Sequence, residues 1–172
     1  MSVADVVYMP EEPAHDHEIE LINEEAFGPG RFTRAAHKIR EGGPHGRALS
    51  FVALSHGTVV GSVRMTPVAA GAGRGLLLGP LAVRPAYKGV GIGRTLVRIA
   101  LEAAGKAGWD VVLLVGDAPY YGPLGFKQVP PGQIAMPWPV DPARLLAHEI
   151  RPGALAAMRG TMMHAALAGA AG

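Results

Sequence analysis

The spacing of hydrophobic and polar residues in the N-terminal part of the chain predicts one strand followed by two helices. Residues 5–9 have the character of a short strand, and Pro13 then begins a helix, because proline is favoured in the first helical turn. The apolar stripe of this helix consists of Ile19, Ile22 and Ala26. After a glycine- and proline-rich break at 27–31, residues 32–41 predict a second short helix with Thr33 as its N-cap.

A hairpin and a long apolar strand follow in the middle of the chain. Residues 48–55 and 58–68 predict two antiparallel strands joined by a tight turn. Residues 76–83 are almost uniformly apolar, so we expect a strand that is buried on both faces of a sheet. Pro80 in this strand has no N–H to donate to a ladder, which predicts a bulge or a local opening of the sheet.

Three alternating glycines, Gly89, Gly91 and Gly93, precede the next helix. The apolar stripe of this helix consists of Leu96, Ile99, Ala100, Ala103 and Ala104. Gly108 ends the helix, and residues 109–116 predict a second buried strand. A strand, a crossover helix and a strand most simply give a parallel pair with a right-handed connection.

The hydrophobic pattern weakens towards the C-terminus. Residues 117–126 predict a tight segment, and 126–130 predict a further strand. Residues 141–149 predict a helix, residues 151–167 fit either strands or a helix, and 166–172 predict a frayed tail. Together these elements indicate an α/β fold in a single domain that takes in all 172 residues.

Composition and charge narrow the class of protein. Hydrophobic residues make up 49% of the chain and charged residues 17%, which is typical of a globular protein. The absence of cysteine excludes disulfides and thiolate chemistry, and we expect a cytoplasmic protein without a signal peptide or membrane span. The pI is about 9.2, but the net charge is only +2 and no basic block occurs. This balance favours a small anionic ligand over a nucleic acid or a membrane.

The glycine turn has the properties of an anion-binding site. A helix N-terminus carries unpaired N–H groups and about half a positive charge, and glycines before it let an anion approach the backbone. Lys88 and Arg94 add positive charge, so the turn favours a diphosphate. The Rossmann fingerprint does not fit, because Arg94 stands where it needs a glycine, and the P-loop does not fit, because Gly105-Lys106 is followed by alanine.

This turn resembles the acetyl-CoA-binding motif of the GNAT superfamily of N-acetyltransferases, Gln/Arg-x-x-Gly-x-Gly/Ala. The corresponding residues are Lys88, Gly91 and Gly93. Lys88 replaces the family's Gln/Arg, which keeps positive charge near the diphosphate but loses a planar donor group. Phrases such as AFGPGRFTRAA are similar to those of a less characterised bacterial branch of predicted acetyltransferases in that superfamily.

The resemblance continues on both sides of the turn. It includes LGPLAV (78–83) and LLVGDAPYYGPLGF (113–126), where the family carries a tyrosine four residues before Gly-Phe. It covers residues 48–128 well, whereas residues 131–172 contribute little to it.

The resemblance implies a mixed sheet of six or seven strands, flanked by helices, whose central parallel strands splay apart. The pantetheine arm of CoA would lie in the gap and pair with the main chain of Leu81, Ala82 and Val83. The diphosphate would rest on the glycine turn. The residues of the turn implied in cofactor binding are Lys88, Gly89, Val90, Gly91, Ile92, Gly93, Arg94 and Thr95.

The family transfers an acetyl group from acetyl-CoA, its co-substrate, directly to an amine in a ternary complex. The chain fits direct attack, because it has no cysteine nucleophile and no Gly-x-Ser-x-Gly elbow. The resemblance implies that Tyr121 is the general acid that protonates the CoA thiolate. Tyr120 is adjacent, but the four-residue offset to Gly125 favours Tyr121.

The general base stays open between Glu24, Glu25, His37 and Asp117, each of which could instead be a solvated surface residue. Asp117 has the most suitable location, just past the predicted strand 109–116, and we assign it to the site beside Tyr121. It either takes the proton or orders a water or the cofactor.

Other functions receive less support from the sequence. The spacing of His15 and His17 and the absence of His-Glu-x-x-His argue against a metal site. The main alternative is an acyl-CoA-binding module that senses its ligand without turnover. A nucleic-acid-binding protein is suggested only by the pI, and a homodimer is compatible with the sequence. The identity of the amine acceptor is left open.

Overall fold

One mixed β-sheet runs through the protein, whose computed structural model describes residues 5–170. The strands among these residues are β1 (Val6–Pro10), β2 (Phe51–Ser55), β3 (Thr58–Ala70), β4 (Gly73–Val83), β5 (Val111–Val115), β6 (Lys127–Gln128), β7 (Ile134–Ala135), β8 (Leu145–Glu149) and β9 (Gly160–His164). The α-helices are α1 (Asp16–Phe27), α2 (Ala35–Arg40), α3 (Ile92–Lys106), α4 (Ala118–Tyr121) and α5 (Ala165–Ala170).

The order of strands confirms the expected mixed α/β architecture. The main path through the sheet is β1-β2-β3-β4-β5-β8-β6, which gives the seven strands at the upper end of the expected range. The short strands β7 and β9 add to it, because β9 pairs with the end of β3 and with β7. All pairs on the main path are antiparallel except β4 and β5, which are parallel and are connected through α3.

Strand β4 has the predicted bulge, and the part before the bulge has the predicted burial, whereas Leu81 and Val83 are only half-buried. Its apolar residues Leu76, Leu77 and Leu78 are all buried, as a strand covered on both faces requires. Across the pair with β3, Val63 faces Leu81 whereas Met65 faces Leu78, so Gly79 and Pro80 together lie opposite one residue. The bulge therefore lies at the proline that cannot join the ladder.

The parallel strands β4 and β5 pair over only two positions, Leu76 with Val112 and Leu77 with Leu113. Beyond them, residues 81–83 of β4 pair with β3 but have no strand partner on the β5 side among residues 5–170. The other edge of β5 pairs with β8 along its whole length. The central strands are thus splayed, as expected.

Helix α3 covers one face of the sheet next to this gap. Leu96, Ala100 and Ala104 of the predicted stripe are buried in the core, and Ile99 and Ala103 pack against it. Gly108 follows the helix with φ +89°, a conformation that favours glycine and ends the helix as predicted.

Two predictions for the first two helices are wrong. Pro13 does open the first helical segment, but as a 3₁₀ turn that leads directly into α1 at Asp16. Ala26 is exposed, and the buried face of α1 carries Asn23 together with the isoleucines. Thr33 is not the N-cap of α2, because it ends a 3₁₀ turn and its hydroxyl donates to the carbonyl of Gly30.

The predicted helix at 141–149 is also wrong. A 3₁₀ turn at Pro142–Arg144 leads into strand β8, whose residues Leu145, Leu146 and Ala147 are all buried between β5 and β6. A run of apolar residues buried on both faces has no period that distinguishes strand from helix.

Both open alternatives at 151–167 occur in turn. Strand β9 at Gly160–His164 is followed directly by α5. Residues up to Ala170 of the predicted tail belong to that helix, and the last two lie outside the described residues. No helix within residues 5–170 is long and apolar enough to cross a membrane.

Candidate active site

The glycine turn begins α3 with the backbone geometry that an anion site needs. Gly89 has φ +82°, and Gly91, the N-cap of the helix, has φ +90°. Apart from the adjacent residues, no atom of the described chain lies within 4 Å of the place that a Cβ would take at either glycine, so the turn is open. The N–H groups of the first helical turn have no acceptor inside the helix, so the open turn can present them to a ligand.

The predicted cofactor residues of this turn contribute in different ways. Lys88 and Arg94 are exposed and can bring positive charge to a ligand, whereas the side chain of Ile92 is buried in the core, which leaves its N–H for binding. Val90 is exposed. The hydroxyl of Thr95 donates to the carbonyl of Gly91 at 2.9 Å, which fixes the start of the helix.

A cavity of about 480 Å³ opens where β4 and β5 separate. Its floor is the bulge of β4 with Leu81 and the end of β5, and its walls come from α1, α2, the loop after α2 and the start of α4. Both residues assigned to catalysis from the sequence, Tyr121 and Asp117, line it. The cavity is therefore continuous with the gap in which the cofactor arm is expected.

Tyr121 lies at the end of α4 with its ring packed between aromatic neighbours. Its ring centroid is 4.8 Å from that of Tyr120 and 5.7 Å from that of Phe126, both edge-on. Gly116 makes room for the ring, because a Cβ there would lie 2.6 Å from Cε2. Burial raises the pKa of Tyr121 to about 12, and Tyr120 and Asp117 act in the same direction. The phenol therefore carries its proton at neutral pH.

Tyr120 points to a different place. A Cβ at Gly93 would lie 2.6 Å from Tyr120 Oη, and the guanidinium carbon of Arg94 is 5.6 Å from the ring centroid. Tyr120 thus covers the start of α3, and it is not among the residues that line the cavity. Gly93, predicted for close approach of a ligand, also leaves room for the hydroxyl of this tyrosine.

Asp117 lies at the rim of the cavity. Its side chain is 77% exposed, with a carboxylate oxygen 3.6 Å from Nη2 of Arg144. Its main-chain carbonyl accepts from the N–H groups of Tyr120 and Tyr121 and so begins α4. Asp117 therefore holds the backbone of Tyr121 in place through its main-chain carbonyl, independently of any role of its carboxylate.

The other candidates for the general base differ in whether they line the cavity. Glu24 and Glu25 are exposed and do not line the cavity, whereas His37 does. Burial lowers the pKa of His37. The carboxylate of Glu41 acts in the opposite direction, but the positive charges of Arg40, Lys38 and Arg31 lower the pKa further. His37 is therefore neutral at pH 7 and able to accept a proton.

A buried ionic cluster, missed from the sequence, supports one wall of the cavity. The carboxylate of Glu11 is fully buried and contacts His45 and Arg64, and Arg64 also donates to Asp16 at 3.0 Å. Burial alone would raise the pKa of Glu11, but the hydrogen bond from His45 and the charge of Arg64 outweigh it and lower that pKa. His45 and Arg64 line the cavity, and only the fold brings them together.

Two further cavity residues, Asn23 and Arg40, were also missed. Asn23 Oδ1 and Arg40 Nε are buried without a hydrogen-bond partner in the part of the chain that the structure describes. Asn23 comes from the buried face of α1, and Arg40 from the last turn of α2. A polar residue on an otherwise apolar stripe was the only signal for Asn23, and none was available for Arg40.

A mixed sheet with splayed parallel strands, an open glycine turn and a cavity between them defines the acetyltransferase class of α/β proteins. Residues 14–126 match the Acetyltransferase (GNAT) family, and the chain belongs to that family.

Related proteins agree with this membership. The uncharacterized N-acetyltransferase YhbS of Escherichia coli K12 is 28% identical over 146 residues, which cover 83% of this chain and 86% of YhbS. The uncharacterized N-acetyltransferase YjhQ of the same organism is 41% identical over 51 residues, 30% of this chain and 28% of YjhQ.

Solved structures of relatives include complexes with the cofactor. The crystal structure of E. coli YhbS with CoA matches with a TM-score of 0.78 and 25% identity over 93% of this chain and 89% of that one. A GNAT acetyltransferase from Brucella melitensis, in complex with acetyl-CoA, matches with a TM-score of 0.65 and 29% identity over 86% and 89%.

Proposed function

We propose that the protein is an acetyl-CoA-dependent N-acetyltransferase that passes the acetyl group directly to an amine in a ternary complex. Family membership and the CoA and acetyl-CoA complexes of the two relatives support this assignment. The absence of cysteine supports direct transfer, because a thiol-bound acetyl intermediate has no residue to form on.

The cofactor is proposed to bind along α3 and β4. The diphosphate meets the N–H groups of residues 89–94 with Lys88 and Arg94 nearby, and the pantetheine arm pairs with the main chain of 81–83. The unpaired β5-facing edge of these residues and the open space at Gly91 support this arrangement.

Transfer of the acetyl group replaces a C–S bond by a C–N bond and requires two proton transfers. The nitrogen of the neutral amine attacks the thioester carbon, the new C–N bond forms, and the C–S bond breaks. The leaving thiolate takes the phenolic proton of Tyr121, and the nitrogen gives up its extra proton to a base. Tyr121 regains its proton from solvent.

Among the base candidates, His37 fits this role better than Asp117. His37 lines the cavity and is neutral at pH 7, whereas the carboxylate of Asp117 is mostly exposed and faces Arg144. We therefore assign proton acceptance to His37, and to Asp117 the positioning of Tyr121 through the first turn of α4.

The observation that carries the proposal is a protonated phenol in the cavity between splayed strands, next to an open anion-binding turn. Binding of acyl-CoA without turnover requires the turn and the gap but makes no use of that phenol.

The test compares Tyr121→Phe with Tyr120→Phe. Tyr121→Phe keeps the ring and its packing, so acetyl-CoA binding and stability stay close to wild type while turnover falls by roughly 10²–10⁴-fold. Tyr120→Phe keeps turnover within a few-fold. Release of CoA thiol, measured across a library of amines, gives the rates. Unchanged turnover in Tyr121→Phe would remove it as the acid, and a folded wild-type protein that binds acetyl-CoA but acetylates no amine would contradict the function.

A further inference from the structure

The cavity carries more positive charge than its own acids neutralise. Its arginines are Arg31, Arg34, Arg40, Arg64 and Arg144. Three of them have carboxylate partners: Arg31 with Glu20, Arg64 with Glu11 and Asp16, and Arg144 with Asp117. Arg34 and Arg40 have no ion pair within residues 5–170. Two guanidinium groups in one cavity are thus left for an external anion.

Arg40 is the more informative of the two, because it is placed deep in the site. Its Nη2 lies 2.6 Å from the position of a Cβ on Gly79, so the guanidinium reaches the bulge where β4 leaves β5. Its Nε is fully buried and has no acceptor among the described residues. Burial also lowers the pKa of Arg40 to about 10, and the charge of Arg34 adds to this. An unpaired buried cation is costly, which indicates that a ligand completes it.

The cofactor cannot complete this cation in the proposed arrangement. The diphosphate charges of CoA lie at the glycine turn, at the start of α3, and Arg40 is not part of that turn. The part of the cofactor that enters the splayed gap, the acetylated pantetheine arm, is neutral. The anion must therefore come from the acceptor.

Arg40 and Asn23 together describe the polar groups of that acceptor. A guanidinium donates two parallel hydrogen bonds to a carboxylate. Asn23 Oδ1, the other buried unpartnered atom of the cavity, can accept from the N–H of an amine. Arg34, with its guanidinium carbon 5.1 Å from the ring centroid of Phe27, adds positive charge at the exposed side.

We propose that the acceptor is a small amine that also carries a carboxylate, and that Arg40 binds this carboxylate. The proposal rests on the acetyltransferase function above and specifies its substrate class.

The experiment compares each amino acid with its amide, which has the same amine but no carboxylate. Suitable pairs are glycine, β-alanine, γ-aminobutyrate and L-phenylalanine with the corresponding carboxamides. The measured quantity is the ratio of kcat/KM for acid and amide, from CoA-thiol release. Because the amine pKa differs within a pair, the ratio is compared between protein variants, where this difference cancels.

The variants are Arg40→Met, Arg40→Lys and, as a matched control, Arg74→Met, which removes an exposed arginine on β4 that does not line the cavity. For at least one pair, Arg40→Met lowers the acid-to-amide ratio by about 10- to 100-fold, because the charged carboxylate loses more binding than the neutral amide. Arg40→Lys keeps the positive charge but loses the planar guanidinium that can donate two parallel hydrogen bonds, so its acid-to-amide ratio lies between those of the wild type and Arg40→Met. Arg74→Met leaves the ratio unchanged.

Equal ratios in wild type and Arg40→Met, with amines turned over by both, would overturn the carboxylate proposal and leave the proposed function intact. If no amine is turned over, the proposed function fails, and calorimetric titration of the same amino acids into the CoA-saturated protein decides the inference. Binding that Arg40→Met abolishes supports a carboxylate site at Arg40, and absence of binding to wild type overturns it. Thermal unfolding checks that each variant folds. If Arg40→Met does not fold, the same comparison is made between wild type and Arg40→Lys, and an unchanged ratio there overturns the proposal.

Discussion

Replacement of Gly91 by valine tests the cofactor site with a control that the chain itself provides. Gly91 and Gly108 stand at opposite ends of α3 with nearly the same backbone geometry, φ +90° and φ +89°. Both have open space where a side chain would begin. Valine at either position forces an L-residue into the left-handed region, at a cost of roughly 1–2 kcal/mol. Only the side chain at residue 91 would stand where the diphosphate is proposed to bind.

The expected loss of affinity follows from the hydrogen bonds that the diphosphate would lose. Each hydrogen bond to a charged group contributes roughly 1.5–3 kcal/mol, so the loss of two weakens binding by about 3 kcal/mol, or roughly 100-fold. At an acetyl-CoA concentration of about 100 times the wild-type Kd, mass action stabilises the wild type by about 2.7 kcal/mol. In Gly91→Val the same concentration only equals Kd and gives about 0.4 kcal/mol.

The assay is thermal unfolding of the wild type, Gly91→Val and Gly108→Val with and without acetyl-CoA. For a chain of this length, about 1 kcal/mol corresponds to roughly 2–4 °C. The cofactor should therefore raise the Tm of the wild type and of Gly108→Val by roughly 5–11 °C, and that of Gly91→Val by about 1 °C. Both variants should start from a similarly lowered Tm without ligand. If acetyl-CoA stabilises a folded Gly91→Val as much as Gly108→Val, the diphosphate does not bind at this turn.

Three further predictions concern the charged residues around the cavity. His37→Gln should lower kcat/KM at pH 7 by roughly 10²-fold, with exposed His17→Gln as control. In a pH–rate profile the loss should shrink towards about pH 10, where hydroxide in the solvent can take the proton in place of His37. Glu11→Gln should lower the free energy of unfolding at pH 7 by about 3 kcal/mol, because it leaves Arg64 and His45 facing a neutral side chain. Because the pKa of Glu11 is lowered in the folded state, its contribution to the free energy of unfolding is present above pH 4.5 and is lost as the pH falls through the folded-state pKa. In urea unfolding at decreasing pH, the free energy of unfolding should therefore fall less steeply in Glu11→Gln than in the wild type. Arg40→Met should raise the free energy of unfolding of the unliganded protein by up to about 3 kcal/mol, because burial lowers the pKa of Arg40 from 12.5 to about 10. This gain should stay constant between about pH 6 and 9, since both values lie above that range, and urea unfolding that shows a loss instead would mean that the guanidinium is already satisfied.

The parts of the fold that the sequence predicts are those whose signals are local. The apolar run of β4, the proline in it, the glycine turn and the stripe of α3 are contiguous, and each has one physical interpretation. The bulge at Pro80 and the splay after Leu77 follow from these same residues. Strand β8 is different, because Leu145 and Leu146 show no period and their assignment depends on partners in β5 that lie 30 and 32 residues away in sequence.

In the candidate site, too, residues with a local sequence signal are predicted, and residues whose role depends on distant contacts are not. The offset between Tyr121 and Gly125 favours Tyr121 over Tyr120 from the sequence, and in the structure Tyr121 lines the cavity whereas Tyr120 packs at the start of α3. Arg40 has no such signal, since its significance depends on its approach to Gly79 of β4 and on the lack of a hydrogen-bond partner for its Nε among residues 5–170. Similarly, Glu11 and Arg64 are charged residues, which usually lie on the surface, and they stand in separate parts of the sequence. Only the fold brings them into contact and buries the carboxylate of Glu11.

An unpaired strand edge is usually found at the border of a sheet, where another polypeptide can add to it and start aggregation. In this protein the free edge of residues 78–83 lies in the interior of the sheet, with β5 beside it and β8 holding β5 from the far side. A second protein chain would have to part the two halves of the sheet to reach it, whereas a thin, flexible arm with widely spaced amides can slide in from the open end. The gap between β4 and β5 thus admits only narrow molecules. The unpaired peptide groups of β4 can bind a small ligand there without offering a strand edge to neighbouring proteins.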